Sequence, residues 1–248
     1  MIFHATFFFV WQPPVRFLPA EPVLKISVII PVINEASLIE QAIASSWASG
    51  VDQVIVVDGG SIDGTAERAS QQECDWLRSE PGRAIQQNAG AAVADGDLLL
   101  FLHVDTVLPV NAAEQLRNAV HGTSGYGGFR QRIAHPGRLF RWLEAGNAWR
   151  IQRCGMVYGD QGLFLTRATW QELGPFPEEP LMEDYILSRR LKKRLRPILL
   201  PGPLQVDPRR WVRHGVVRQT VRNRLIAAAY LAGVTPTRLA SYYRRHDR

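Results

Sequence analysis

Short apolar runs alternate with amphipathic stretches through the first half of the chain. The runs rich in aliphatic or β-branched residues are, in chain order, Ile26–Ile30, Gln53–Val57 and Leu98–Leu102, and a further strand is predicted around Asp75–Ser79. Between them, apolar residues recur at the three- and four-residue spacing of a helix, first over 38–47 and last over 82–94. Strands and helices in such regular alternation predict right-handed crossovers, and therefore an α/β fold built on a mostly parallel sheet.

Beyond Pro109 the alternation is less regular. Further helices are predicted over Ala112–Val120, Pro136–Gln152 and Leu181–Arg194, and further strands over Gly125–Phe129, Tyr158–Leu165 and Ile198–Leu200. From Val216 onward, the apolar residues Val217, Val221, Leu225 and Ala228 fall on one stripe, which predicts an amphipathic helix. Such a helix can pack on the domain, form a homodimer, or lie on anionic lipid.

Length and composition fit one enzyme-sized domain with extensions. The 248 residues are 46% hydrophobic and 21% charged, which suits a globular protein and excludes a disordered one. Two cysteines form neither a disulfide framework nor a zinc cluster, so a cytoplasmic location is expected, with peripheral contact at the inner face of the membrane as a further option. We expect a proline-broken appendage over 1–24 (disordered, loosely packed or membrane-touching), a catalytic domain over 25–215, and a basic helical extension over 216–248.

Charge is concentrated at the carboxyl end of the chain. Residues 189–248 hold sixteen Lys and Arg but only two acids, Asp207 and Asp247, whereas the rest of the chain is net negative. This segregation predicts an anionic partner, such as a phosphate or an acidic lipid surface. Nucleic acid is not the expected partner, because Trp211 is almost the only aromatic residue among the basic ones of the segment before the tail helix.

Polar groups follow the central apolar run directly. His103 and Asp105 have metal-ligand chemistry and come where a buried strand ends, and ligands of open α/β sheets gather at that edge. Neither a dinucleotide Gly-x-Gly-x-x-Gly motif nor a Walker A motif is present, so Rossmann dehydrogenases and P-loop enzymes lose support.

Four blocks together resemble glycosyltransferase family 2, a group of inverting nucleotide-sugar transferases with the GT-A fold. The blocks are Ser27–Glu35 (SVIIPVINE), Val56–Thr65 (VVDGGSIDGT), Phe101–Thr106 (FLHVDT) and Met182–Asp184 (MED). The resemblance extends from about Lys25 to at least Leu200, and is closest to a bacterial branch with a His-x-Asp-Thr motif. It implies a single GT-A domain with a nucleotide-binding sheet, Mn²⁺ or Mg²⁺ as cofactor, and a nucleotide-diphosphate sugar as donor.

The resemblance also assigns donor-side residues. By position, the nucleotide would contact Pro31, Asn34, Glu35 and Asp58. Gly59 replaces an acid that often contacts the base, so the identity of the base stays open. Asp105 matches the last Asp of the family's Asp-x-Asp motif and would bind the metal. His103, which replaces the first Asp, has three open roles: binding ribose, contacting the metal, or packing at the strand end.

Arg83 stands at a helix start, where a guanidinium and backbone amides suit a phosphate. Asp184 matches the family's catalytic carboxylate, and a carboxylate at a helix start is a suitable general base. Glu183 diverges from it by about 100° on a helix, so only Asp184 receives this role.

The resemblance extends to the acceptor and diphosphate sides as well. The candidate residues there are Asp160, Gln161, Arg209, Arg210 and Trp211, with His214 as a late metal ligand. The acceptor can be a small molecule, a lipid or a glycan. Two other readings stay open: a sugar nucleotidyltransferase, although Pro31–Glu35 lacks the glycines of its phosphate loop, and a non-enzymatic binder of nucleotides or nucleic acid.

Overall fold

The computed structural model describes residues 24–122 and 124–247. In that part of the chain, eight strands form one sheet: β1 (Ile26–Val32), β2 (Gln53–Asp58), β3 (Asp75–Arg78), β4 (Leu98–Phe101), β5 (Thr106–Val107), β6 (Tyr126–Ile133), β7 (Leu163–Thr166) and β8 (Ile198–Val206). The predicted appendage lies, except for Leu24, outside the described residues.

Ten α-helices accompany the strands in the described ranges. They are α1 (Ile39–Ala48), α2 (Thr65–Ala69), α3 (Arg83–Val93), α4 (Ala112–Ala119), α5 (Arg138–Trp149), α6 (Arg167–Leu173), α7 (Glu183–Leu191), α8 (Arg209–His214), α9 (Val216–Leu231) and α10 (Pro236–Asp247). A π-helical turn at Arg150–Cys154 extends α5, and a 3₁₀ turn at Gly159–Gln161 precedes β7. No helix of the described residues is long and apolar enough to cross a membrane.

The sheet is mostly parallel in its first half and mixed in its second. Its order is β3-β2-β1-β4-β7-β6-β8-β5. β3, β2, β1 and β4 run parallel, β7 pairs antiparallel with β4 and β6, and β6 pairs parallel with β8. The carboxyl ends of β1, β2 and β4 therefore meet at one edge, where bound ligands of such sheets are found.

Two hydrophobic clusters cover the two faces of the sheet. Val28 and Ile30 of β1 pack in one cluster with α1 and α4, while Ile29 between them packs in the other with α3 and α7. All four residues of β4 are fully buried for the same reason. A strand covered on both faces carries an uninterrupted apolar run, which explains why β1, β2 and β4 were recognisable in the sequence.

The predicted α/β fold with a mostly parallel sheet flanked by helices is confirmed, and its boundaries shift mainly in the second half. The last predicted strand, Ile198–Leu200, continues to Val206 despite Pro201 and Pro203. Its pairing with β6 shifts register here, because β8 advances four residues from Leu200 to Leu204 while β6 advances two from Phe129 to Gln131, and the pairing then resumes.

The tail is helical as predicted, but the predicted apolar stripe does not face the core. Val217, Val221 and Leu225 are exposed, and α9 buries Gln219 and Ile226 instead. A second helix, α10, packs beside α9.

Candidate active site

A cleft of about 640 Å³ opens at the carboxyl ends of β1 and β4, between the start of α3 and α8. This volume is in the range of small-molecule sites. Seven of the sequence-predicted residues line it: Pro31, Glu35, Arg83, His103, Asp105, Arg209 and Arg210. Residues separated by up to 179 positions in the chain are thus brought to one place.

The turn after β4 holds His103 and Asp105 at the cleft. The hydroxyl and amide of Thr106 both donate to the carbonyl of His103, at 2.6 and 3.1 Å. The amide of Asp207 donates to the carbonyl of Asp105 at 3.1 Å, which ties the turn to the end of β8. Backbone bonds on both sides leave the two side chains available to the cleft.

The side chains of this turn carry buried polar atoms that make no hydrogen bond to the described residues. These are Nε2 of His103 and Oδ1 of Asp105, together with Oδ1 of the nearby Asp160. Burial raises the pKa of Asp105, against the lowering effect of Arg210 and Arg209. Burial, then Arg83 and Arg210, lowers the pKa of His103 well below its ordinary value, so its imidazole is neutral at pH 7.

This donor set fits a divalent cation held jointly with substrate. Carboxylate oxygens and a neutral imidazole suit Mn²⁺, and Mg²⁺ also binds through one or two carboxylates plus substrate phosphates. Among the described residues, no group of three or more His, Cys, Asp or Glu side chains forms a complete metal site. Diphosphate oxygens of the donor are the natural source of the remaining ligands.

Arg83 links the start of α3 to the start of α7. Its guanidinium donates to Oε1 of Glu183 at 2.9 Å, and the Glu183 side chain is only 3% exposed whereas that of Arg83 is 44% exposed. Glu183 is the main reason why the pKa of Arg83 is raised. Gly82 adopts a φ of +151°, a conformation that favours glycine, and this turns the chain into α3 beside the cleft. Arg83 thus neutralises the buried acid and still faces the cleft.

Asp184 lies immediately beyond Glu183, against the 3₁₀ turn. Its Oδ2 accepts the Gly159 amide at 2.8 Å. Burial, and secondarily the charge of Glu183, raises the pKa of Asp184 to about 6. The preceding Met182 has a φ of +74°, and such strained non-glycine backbone is concentrated at functional sites. A carboxylate of this pKa can accept a proton near neutral pH.

Gly159 joins Asp184 to the metal-side turn. A Cβ at Gly159 would overlap with Nε2 of His103, so the imidazole packs against the glycine whose amide binds Asp184. Asp160, the next residue, acts electrostatically on both Asp105 and Asp184. Asp184 is thus connected to the metal-side turn through Gly159 and His103, although it is not among the residues that line the cleft.

Other predicted site residues support the cleft without lining it. The carboxylate of Asp58 accepts the amide and the hydroxyl of Ser61. The side-chain oxygen of Asn34, itself at a φ of +55°, accepts the Ile62 amide at 2.9 Å. Gln161 is fully buried, and its Oε1 accepts hydrogen bonds from the Arg150 guanidinium and the Tyr158 amide. These bonds brace the loops around the site.

The end of α8 leads away from the cleft. Trp211 is buried in a small cluster with Ile133, Phe140 and Val206, so its indole serves packing. His214 lines a different cavity, formed with α9 and α10, and not the cleft that holds Asp105. Arg209, in contrast, contacts Glu35 at 3.3 Å across the cleft. Burial nevertheless raises the pKa of Glu35, with Arg209 opposing the shift.

Two contributors had no role assigned from the sequence. The sequence predicts no role for Glu183, which precedes Asp184, although Glu183 is the buried ion-pair partner of Arg83. Arg150 lies over the Tyr158 ring, 3.4 Å from its centroid, and donates to Gln161. The 100 residues between Arg83 and Glu183 leave no local signal for their pairing, and the π-helical turn at Arg150 has no clear sequence pattern.

The half-parallel sheet with a cleft at its carboxyl edge has the architecture of the GT-A fold. The chain belongs to glycosyl transferase family 2, whose family model matches residues 27–170. This membership decides against the sugar nucleotidyltransferase and the non-enzymatic binder. No curated protein matches the sequence.

Solved structures share the fold at low sequence identity. A mannosyltransferase from Pyrobaculum calidifontis, in complex with GDP-Man and Mn²⁺, is 18% identical over 95% of this chain and 73% of its own, with a TM-score of 0.59. Glucosyl-3-phosphoglycerate synthase from Mycobacterium tuberculosis, in complex with Mn²⁺, UDP and phosphoglyceric acid, is 21% identical over 74% of this chain and 68% of its own, with a TM-score of 0.51.

Proposed function

We propose that this glycosyltransferase is inverting and divalent-cation-dependent, and that it transfers a sugar from a nucleoside diphosphate to an acceptor hydroxyl with Asp184 as general base. The observation that carries the proposal is the position of Asp184. Its carboxylate is bound to the amide of Gly159, which packs against His103 of the metal-side turn. A carboxylate connected in this way to the metal-side turn suits the general base of a single displacement.

The reaction needs one proton acceptor and no enzyme nucleophile. The acceptor hydroxyl loses its proton to Asp184 as its oxygen bonds to the anomeric carbon, and the bond from that carbon to the diphosphate breaks. A pKa of about 6 leaves Asp184 ionised at neutral pH yet basic enough to assist. Attack from the side opposite to the leaving group inverts the anomeric configuration.

Positive charge serves the leaving group. Arg83 at the start of α3, with Arg209 and Arg210 across the cleft, offers preorganised donors to the diphosphate. Asp105 would hold Mn²⁺ or Mg²⁺ with His103 beside it, and the cation would supply further neutralisation of the departing charge. His214 lines the other cavity, so its position does not support a role as metal ligand, and that role stays a prediction from the sequence.

The nucleotide would occupy the cleft beside Pro31 and Glu35, with Asn34 and Asp58 bracing the loops behind it. The two related structures hold different nucleotides, GDP in one and UDP in the other. Thermal shift against a panel of nucleoside-diphosphate sugars, with and without Mn²⁺, identifies the base through the stabilisation that ligand binding confers.

Replacement of the base tests the mechanism. We expect Asp184→Asn to retain donor affinity within about threefold but to lower turnover by about 10²–10⁴-fold, because general-base catalysis contributes that much. Glu178→Gln, a charge removal at the exposed rim of the same cleft, is the matched control and should keep near-wild-type turnover.

Product stereochemistry tests inversion independently. The coupling constant of the anomeric proton in the product should report the configuration opposite to that of the donor. Retention of configuration, or an Asp184→Asn variant as fast as the control, would contradict the proposal.

A further inference from the structure

Glu183 is a buried acid that the proposed reaction does not use. It is the first residue of α7, it lines the cleft, and its side chain is only 3% exposed. A buried carboxylate is unfavourable without a partner, and here the partner is the Arg83 guanidinium. Replacement of a buried ion pair by well-packed apolar side chains is often neutral or stabilising, so stability does not account for this pair. A functional explanation is therefore needed.

The two partners of this ion pair differ in exposure. The Arg83 side chain is 44% exposed at the cleft, whereas Glu183 is enclosed. A guanidinium is a rigid planar fork with five N–H donors, so a bond that holds Nη1 also fixes the direction of the remaining donors. Donors held in this way bind an anion with less loss of rotamer freedom than those of an unrestrained arginine. Glu183 thus prepares Arg83 to bind an anion in the cleft.

The helices that carry the two partners are held in place by other contacts. In α3, the side-chain amide of Gln86 donates to the carbonyls of Val32 and Val57, at 2.7 and 2.8 Å, where β1 and β2 end. In α7, the Ser188 hydroxyl donates to the carbonyl of Val157 and accepts the amide of the same residue. The ion pair therefore joins two elements that are already fixed, and what it determines is the direction of one side chain.

The charge of Arg83 reaches both the metal side and the base side of the site. Burial is the largest influence on the pKa values of His103, Asp105 and Asp184. The charge of Arg83 lowers each of these pKa values as well, which requires its guanidinium to be near all three groups. The diphosphate of the proposed donor would lie beside the metal-side turn, within reach of this guanidinium.

We infer that Glu183 is a positioning residue, which holds the Arg83 guanidinium in the orientation that receives the donor diphosphate and acts on the donor only through Arg83. This inference rests on the proposed function, because the anion that Arg83 receives is the diphosphate of the proposed donor. It differs from a role in stability, since it requires that the effect of Glu183 disappear when Arg83 is absent.

Binding of a nucleoside diphosphate measures the effect of each partner. Calorimetry on the full chain with Mn²⁺ and UDP or GDP, whichever binds the wild type more tightly, supplies the dissociation constants. Arg83→Gln should weaken binding by at least about tenfold, because charged hydrogen bonds to phosphate are lost. Glu183→Asp keeps the charge but withdraws the carboxylate by one methylene group. It should weaken binding by at least about threefold, because the guanidinium is then misdirected and loses a hydrogen bond to the diphosphate.

The double variant shows whether Glu183 acts through Arg83. In the Arg83→Gln background, Glu183→Asp should change the affinity by less than about twofold, because no guanidinium is left to orient. A general loss of structure would instead weaken binding in both backgrounds alike. Glu172→Asp makes the same chemical change at an exposed position of α6 outside the cleft lining. It is the matched control and should bind like wild type.

Glu183→Gln separates position from charge. Glutamine has the length of glutamate and keeps an acceptor oxygen for the guanidinium, but it has no charge. If position matters, the affinity of Glu183→Gln should be closer to that of wild type than the affinity of Glu183→Asp. A larger change in Glu183→Gln than in Glu183→Asp would mean that the charge of Glu183 acts on the diphosphate directly, and would overturn the inference.

Two further results would also overturn it: equal losses from Glu183→Asp in both backgrounds, and wild-type affinity in Arg83→Gln. Should circular dichroism show that Glu183→Asp is unfolded, Arg83→Lys makes the test from the other partner. A single ammonium group cannot serve the carboxylate and the diphosphate as a fork does, so its affinity should fall at least about threefold. An affinity equal to wild type would contradict the inference. A wild-type protein that binds no nucleoside diphosphate of any base with Mn²⁺ would instead remove the proposed function, and this inference with it.

Discussion

The donor cleft and the C-terminal cavity between α8, α9 and α10 are both lined by arginines, but the walls of the two differ in apolar character. In the cleft, Arg83 pairs with Glu183 and Arg209 pairs with Glu35. In the cavity, the described lining residues include three arginines, several aliphatic side chains and no acid. Ion pairs in its wall keep the cleft preformed for a diphosphate and a cation, whereas the wall of the cavity is largely aliphatic.

The two sites also differ in how deeply the elements that form them are buried. The cleft is built on the ends of β1 and β4, strands that are covered on both faces. The cavity is built from two helices at the periphery, with exposed aliphatic residues in its wall. A rigid sheet edge suits chemistry that needs fixed geometry.

The largest effect that would separate the two sites is expected from Asp105→Asn. Loss of a metal-ligating carboxylate should weaken Mn²⁺-dependent donor binding by at least about 100-fold, because even indirect partners of a metal ligand contribute about 10–100-fold. Titration of donor with and without Mn²⁺ measures this loss.

Asp95→Asn is the matched control for this change, since Asp95 makes an exposed ion pair with Lys25. Donor binding that is equally Mn²⁺-dependent in both variants would remove Asp105 as the ligand.

A somewhat smaller effect is expected from Gly159→Ala. The added methyl group must displace His103 and disturb the amide that binds Asp184, and misplacement of catalytic groups by about 1 Å can cost roughly 10²-fold. Turnover should fall by about 10–100-fold. Gly146→Ala in α5, where a Cβ meets nothing within 4 Å, is the control. Equal turnover of the two alanine variants would contradict a tight contact at Gly159.

The pH dependence should separate the sites further. Asp184 must be ionised to accept a proton, and its pKa is raised to about 6 by burial. Turnover at low donor concentration should therefore be flat above pH 7 and fall about tenfold per pH unit below pH 5.5. Initial rates across pH 4.5–8.5 measure this profile. A profile that stays flat down to pH 4.5 would mean that Asp184 has an ordinary pKa or is not the base.

The same contrast explains how much was predictable from the sequence. β1, β2 and β4 were recognisable because burial on both faces demands unbroken apolar runs, and His103 and Asp105 because they end one of these runs. Long-range pairs such as Arg83 with Glu183 depend on how α3 and α7 pack, which no local pattern encodes.

The tail shows what periodicity leaves open. The apolar stripe on α9 is compatible with packing on the domain, a homodimer or anionic lipid, and the structure leaves Val217, Val221 and Leu225 exposed and buries the polar Gln219. Periodicity reports that a helix is amphipathic, but it does not report what covers the apolar face. The wall of an open cavity and a buried core face have the same sequence signature.

The smallest effect expected is a change in stability from Asp184→Asn. Because the pKa of Asp184 is about 6 in the folded state and about 3.9 in an unfolded chain, the folded state binds the extra proton and loses stability as the pH rises from about 4 to 6. Asparagine carries no charge to bury and can still accept the Gly159 amide. The melting temperature should therefore rise by a few degrees at pH 7.5 and stay unchanged at pH 4, as measured by circular dichroism. A lower melting temperature of the variant at pH 7.5 would mean that the ionised carboxylate stabilises the folded state. Asp184 would then have a structural role, which would contradict a general base whose burial destabilises the protein.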